Sequence, residues 1–436
     1  MFVEPIGREA LFLLFLQLFI ILLVAWILGR IATRFGLAPV VGELMTGIVL
    51  GPSLLGVVAP GVFQHLFPPT AEQYHLIEAV SWVGLLMLLT LTGLETDLGF
   101  VRRHLRSSAS VSVGGIVLPF VFGLGFAYLV PDYLLVNAES RFIFSLFIAT
   151  AMSISAIPVI ARILIDIGAI RSEMGQLTLA GAMVNDTAGW ILLSLVAGLA
   201  HRGVIDLASV LIILASLIGF VVVSLTVGQS FVTRLMRSLK SEPKISETGT
   251  SAIGISQLNP VRAQILAIMI LAMGAGTLTH YMSLEAILGA FVVGVLVSES
   301  DEFEESAKNS FETVTIGVFA PIFFGTAGLR VDLTTVLDPQ VAFVGIIALL
   351  IAVVGKFVGS YLGAMFSGIR RWDAIGIGAG LNARGAMEIV IATVGLELGI
   401  LTIEMYSIIV MIAIVTSVMA SPVLKWSFSK SRNQQL

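Results

Sequence analysis

The sequence predicts an all-α, polytopic membrane protein of about 13 transmembrane helices, built as inverted repeats with two broken helices. Three observations predict it. Of 436 residues, 57% are hydrophobic and 12% charged, against about 25% charged in soluble domains. Apolar runs near the ~20 residues needed to cross the hydrocarbon recur along the chain. Short motifs return in the same order in both halves, each followed by a helix that polar and breaker residues interrupt. The absence of cysteine excludes disulfides, thiolate metal sites and thiol redox chemistry. A net charge of -4 offers no basic surface for nucleic acid.

The apolar runs cover 10–29, 38–57, 78–95, 109–130, 141–164, 173–200, 205–228, 261–280, 284–299, 311–329, 340–366, 372–398 and 402–424. The start, MFVEPIGREALFLLFLQLF, carries Glu4 and Glu9 and no A-x-A site, so it reads as a first membrane helix rather than a cleaved signal. The run 284–299 is the shortest. Residues 238–260, polar and containing Ser and Gly, read as a flexible cytoplasmic linker between the halves. A transmembrane domain is thus expected over 10–424, with a short cytoplasmic tail at 425–436. An odd number of spans puts the termini on opposite sides, and basic residues decide which. With the N-terminus outside, 18 of the 24 Lys and Arg fall on the cytoplasmic side and four outside; the last two, Lys356 and Arg384, lie within spans.

The repeat shows in LTGLETDL (91–98) and TAGLRVDL (326–333), each closing an apolar run. Upstream, Glu43-x-x-x-Gly47 resembles Glu285-x-x-x-Gly289. Downstream, ATAMSISAIPV (149–159) and LNARGAMEI (381–389) are the interrupted helices. Paired interruptions at corresponding positions point to a transporter's binding site, since unwound backbone at membrane depth must be buried or line a cavity. The markers close the third and tenth runs, whose ends face opposite sides, so the repeats are inverted.

Asp186, in AGAMVNDTAGWILL, is the leading candidate for chemistry. A charge at mid-membrane costs at least ~2.5–3.5 kcal/mol and faces a pathway or a partner. Desolvation favours its protonated form, so one group can trade a proton for a metal cation. The competing reading is an aspartate paired as packing glue. Asn185 could coordinate the cation through its amide oxygen or make an interhelical hydrogen bond. Thr150, Ser153 and Ser155 offer hydroxyls and freed carbonyls as hard ligands, unless they bond back to their own helix. Lys356, deep in LLIAVVGKFVGSYLGA, is placed for a salt bridge to Asp186 or for a helix C-terminus. Arg384 and Glu388 stand four apart, either as an i,i+4 pair or neutralising half-helix dipoles at the break.

Together, PVVGELMTGIVLGPSLLG, LTLTGLETDL, ISAIPVIARIL, VNDTAGWILL and LNARGAMEIV resemble the monovalent cation:proton antiporter-2 superfamily with its sodium/proton exchanger domain. VNDTAGW and the N-x-R-G-x-x-E pattern are closest to the plant cation/proton exchanger branch and its bacterial relatives. The resemblance implies a homodimer in membrane lipid and two broken helices crossing near an ion-binding aspartate. It also implies a core that moves as an elevator. Carried over, the aspartate is Asp186, the crossover segments are 150–158 and 382–385, and the basic residue opposite is Lys356. Members with paired Asp-Asp tend to be electrogenic; Asn185 departs from that pattern.

The expected activity is secondary antiport of Na+ or K+ for H+ without a cofactor, in the cell (inner) membrane. A gated cation channel on the same scaffold is the alternative, and an organic-anion transporter on similar repeats a third. No nucleophile–base pair or metal cluster suggests an enzyme.

Overall fold

A computed structural model describes residues 6–37, 39–95, 99, 105–155, 157–169, 172–202, 207–240, 259–282, 284, 286–300 and 302–433. Among these the regular elements are all helical, and one bridge, Leu135 to Leu401, is isolated. Nine of the described helices are long and apolar enough to cross a membrane. The other four expected runs fall on Arg141–Ser153 with Ile157–Asp166, on Glu173–Arg202, on Ala286–Ser298 and on Arg371–Leu381 with Ala386–Glu397. Two of these are interrupted and one has 13 residues, so the described residues do not contain 13 uninterrupted crossings.

Several ends differ from expectation. Helix Leu207–Val223 continues through a π turn at Ser224–Gly228 into Gln229–Lys240. The linker expected from 238 therefore starts later, and 241–258 lie outside the described residues. Asn259 then starts Pro260–Tyr281 by accepting the Val261 N–H at 3.0 Å, with proline at the first helical position. The last helix spans Ile403–Asn433, so the expected tail is helical over most of its length. Contacts with the start of Arg371–Leu381 extend it. Trp426 meets Trp372 edge-on at 5.1 Å, and the Ser431 hydroxyl donates to the Asp373 carboxylate at 2.5 Å.

The chain divides into two compact units. One comprises Met1–Ser81, Phe100–Val204 and Pro321–Leu436; the other comprises Trp82–Gly99 and Ile205–Ala320.

In the first unit, Arg8–Arg34 and Pro39–Leu50 form a hairpin. A Cβ on Gly42 would overlap the Leu28 carbonyl, and one on Gly47 would overlap Gly325 and Gly328. In the second unit, Pro260–Tyr281 and Ala286–Ser298 repeat this arrangement. There a Cβ on Gly289 would overlap the Ala275 carbonyl, and one on Gly294 the Thr90 carbonyl beside Gly93. Small residues permit this backbone approach, which is how helices gain dispersion energy in lipid.

The buried stripe Gln17, Ile21, Ala25, Gly29 and Ala32 is answered one for one by Gln264, Ile268, Ala272, Gly276 and Thr279. Even the buried glutamines act alike: Gln17 donates to the Leu66 carbonyl at 2.7 Å, and Gln264 to that of Glu302 at 3.0 Å. The repeat thus equates Gly42 and Gly47 with Gly289 and Gly294. This corrects the register read from Glu43 and Glu285, because the glycines fix the approach. Glu43 is only half-buried, and Glu285 lies outside the described residues.

Helices Leu105–Leu129 and Pro339–Phe366 organise the rest of the first unit. A Cβ on Gly114 would overlap the Gly359 carbonyl, and one on Gly359 the Gly114 carbonyl. One turn away the Ser110 hydroxyl donates to the Gly363 carbonyl at 2.8 Å.

Candidate functional site

Two helix breaks meet in the first unit. Pro158 has no N–H to donate to the carbonyl four residues back, that of Ile154, and its ring would clash with that carbonyl in a continuous helix, so Arg141–Ser153 ends into extended backbone at Ile154. As the second residue of Ile157–Asp166, Pro158 sits where a missing N–H costs nothing. The other break, 382–385, separates Arg371–Leu381 from Ala386–Glu397.

A helix end inside a membrane leaves backbone groups that need partners, and the candidate residues supply them. Arg384 donates to the carbonyls of Ala151 at 3.1 Å and Met152 at 2.6 Å, and Lys356 Nζ donates to that of Ser153. The Ser155 hydroxyl donates to the Leu381 carbonyl at 3.0 Å, and Ser417 to that of Arg384. At the start of Ala386–Glu397, Glu388 accepts the Gly385 N–H at 2.7 Å, the glutamate half of a capping box, since Gly385 has no side chain to return the bond. Cations therefore sit at a helix C-terminus and an anion at an N-terminus, as the dipoles favour. Lys356, Arg384 and Glu388 are all buried. Arg384 lies in the break and Glu388 in the first turn beyond it, so the two are not successive turns of one helix, as the i,i+4 reading had them.

Asp186 lies on Glu173–Arg202, but its side chain is outside the described residues. Its helix is held against the first break on either side of it. The buried Asn185 amide donates to Ser155 Oγ at 3.4 Å, and a Cβ on Gly189 would overlap the Ile154 side chain. One turn earlier, Gly181 accepts from the Ser112 hydroxyl at 3.2 Å.

The structure thus brings Asn185, Ser153, Ser155, Lys356, Arg384 and Glu388 to the two breaks. Thr150 and Ser153 bond back to their own helix, at Leu146 and Ala149, at 2.8 and 2.7 Å. A hydroxyl that donates still has lone pairs to offer. The end carbonyls expected as cation ligands already accept from Lys356 and Arg384. Among the described residues, no group of three or more His, Cys, Asp or Glu gathers. Besides Lys356, Arg384 and Glu388, the described side chains at the first break offer neutral oxygens, those of Thr150, Ser153 and Ser155, the donor type a hard cation takes.

Sequence reasoning missed two residues. Ser360 is buried one turn after Lys356, and Gly115 faces it from Leu105–Leu129. The only signal in the sequence is a serine four residues after the buried lysine in GKFVGS.

Comparison with known proteins gives the chain a family and its fold a counterpart. The family described as sodium/hydrogen exchanger, transmembrane, matches over residues 18–430. The chain is 29% identical over 417 residues to the Na(+)/H(+) antiporter NhaS4 of Synechocystis, covering 95% of this chain and 97% of that one. It is 30% identical over 416 residues to the probable Na(+)/H(+) antiporter GerT of Bacillus cereus, covering 95% and 100%. It is 28% identical to cation/H(+) antiporter 17 of Arabidopsis thaliana, covering 96% of this chain but 48% of the plant protein. The chain thus spans about half the length of that relative. The fold resembles the solved sodium proton antiporter MjNhaP1 of Methanocaldococcus jannaschii, with a TM-score of 0.67 and 14% identity over 96% of this chain and 97% of that one.

Proposed function

Because the chain belongs to the sodium/hydrogen exchanger transmembrane family, whose members are transporters and not enzymes, we propose that it is a secondary antiporter exchanging Na+ or K+ for protons. Relatives of near-equal length carry the name Na(+)/H(+) antiporter. One observation carries the reading. Two broken helices face each other with their ends held by Lys356, Arg384 and Glu388, and the segment bearing Asn185 and Asp186 is packed against the first break. Lys356, Arg384 and Glu388 are engaged at the helix ends, and Asp186 is the group that takes a proton or a cation in turn. Asn185, Thr150, Ser153 and Ser155 are the neutral oxygen ligands of the cation in this reading. The protein works as a homodimer in the cell membrane, N-terminus outside, and its core carries the loaded site across as an elevator.

The test is reconstitution in liposomes with an imposed pH gradient, adding Na+ and K+ separately. At least one cation should collapse the gradient. Asp186→Asn should abolish the collapse while leaving the melting curve intact. Full dissipation by Asp186→Asn would overturn the site assignment. Cation current without proton movement would overturn antiport in favour of a channel.

A further inference from the structure

We propose that Ser360 is a ligand of the transported cation and that Gly115 keeps its position open. The inference deepens the reading above, since it rests on the Asn185–Asp186 segment being where the cation loads.

Ser360 lies on Pro339–Phe366, one turn beyond Lys356. Its side chain is fully buried, yet among the described residues its hydroxyl oxygen has no hydrogen-bond partner. Such a group in an apolar interior is costly to keep, at about 1–3 kcal/mol, so it calls for an explanation. The surroundings supply one. A methyl built on Gly115 would stand 2.6 Å from Ser360 Oγ and 3.1 Å from Asn185 Nδ2. The two polar groups therefore flank one small space, which the missing side chain of Gly115 leaves open. Asn185 precedes Asp186 on the same helix, and its amide also reaches Ser155 Oγ at 3.4 Å. Two elements thus place polar groups at this space, Glu173–Arg202 and Pro339–Phe366, and Asn185 ties it to Ser155 of the first break. A serine hydroxyl is a hard oxygen donor that gives a small monovalent cation a ligand without adding charge. Ser360 would hold the ion, while Lys356 on the preceding turn holds the helix end at Ser153.

The experiment uses the full chain. Melting temperature in detergent is measured without and with Na+ alone or K+ alone. Exchange in proteoliposomes is then titrated with whichever cation the wild-type protein transports. A ligand bound only by the folded state raises the melting temperature. Ser360→Ala removes a buried unpartnered hydroxyl, so the cation-free melting temperature should hold or rise. The cation-induced increase should shrink, and KM for the cation should rise about tenfold, as expected for losing one hydrogen-bond-strength contact to a charge, with the maximal rate retained. Gly115→Ala should raise KM in the same way. The double variant should lie near the larger single effect, because both act on one oxygen.

An unchanged KM in Ser360→Ala would overturn the inference while leaving antiport standing. So would a lowered cation-free melting temperature, or failure of Ser360→Ala to fold, since the hydroxyl would then be structural. Wild-type protein that exchanges neither Na+ nor K+ for protons would instead overturn the proposed function.

Discussion

Arg384 donates to three backbone carbonyls, those of Ala151, Met152 and, at 3.5 Å, Ala352. Arg384→Ala strands the end of Arg141–Ser153 at membrane depth. Removing one partner of a buried charged network costs about 3–5 kcal/mol, so the melting temperature in detergent should fall clearly; an unchanged curve would mean that water reaches those carbonyls. Arg384→Lys should not restore it, because an ammonium cannot reproduce the fork. Glu388 allows a finer test. A capping box accepts Glu or Gln, so Glu388→Gln should melt near wild type, whereas Glu388→Ala should lose about 1 kcal/mol of helix capping. Equal melting of the two variants would remove the capping role. Lys356, Arg384 and Glu388 were legible in the sequence because a charge in an apolar run is conspicuous, and one alternative read for Arg384 and Glu388 was compensation of half-helix dipoles. Ser360 and Gly115 were not legible. A serine and a glycine are ordinary in a membrane helix, and their significance comes only from facing Asn185 across elements far apart in the chain.

The helices hold one another through glycines, and the sign of a substitution separates the positions that matter from those that do not. Gly114→Ala and Gly359→Ala each drive a methyl into the other helix's carbonyl; overpacking of this kind costs about 1–3 kcal/mol. Gly125→Ala and Gly274→Ala meet nothing within 4 Å, so they should be neutral or gain about 0.5–1 kcal/mol from helix propensity. Melting temperatures that do not sort this way would refute the close crossing.

In the second unit Glu302 accepts from Arg237 at 3.0 Å and reaches Lys240 at 3.5 Å. The Arg237 hydrogen bond, with Lys240 adding, holds its carboxylate below the ordinary 4.5. A depressed acid stabilises above its unfolded value, and that contribution fades as pH falls through the lower folded one. Hydrogen exchange at 237–240 should therefore be slow at neutral pH and lose protection under acid, relative to Glu302→Gln. Equal pH response of the two would dismiss the tie. Breaks announced themselves through Pro158, Asn382 and Gly385. Helix ends did not: Gln229–Lys240 and the last two turns of Ile403–Asn433 are polar, and tertiary contacts rather than apolar composition keep them helical.

Across the whole molecule, Lys356, Arg384 and Glu388 hold helix ends, and in the proposed function Asp186 is the exchangeable carboxylate with Asn185 as its neutral neighbour. Each loaded form then carries the same charge, so exchange should be one-for-one and electroneutral. A membrane potential acts on a moved charge with ~2.3 kcal/mol per 100 mV. Wild-type protein on a solid-supported membrane should give no steady current with Na+, and Asn185→Asp should give one. A wild-type current reversing at a two-to-one equilibrium would refute this.

The hairpin of the first half packs its Gly47 on Gly325 and Gly328, and the hairpin of the second half packs its Gly294 on Thr90 and Gly93. At about 5–20 residues per second, Gly325 leaves the ribosome roughly 15–55 s after Gly47, whereas Thr90 and Gly93 are already made when Gly294 emerges. Birth order therefore treats two equivalent hairpins unequally. The first must wait in the bilayer with its glycine face bare, open to capture by the cell's quality control, while the second finds its partner on arrival.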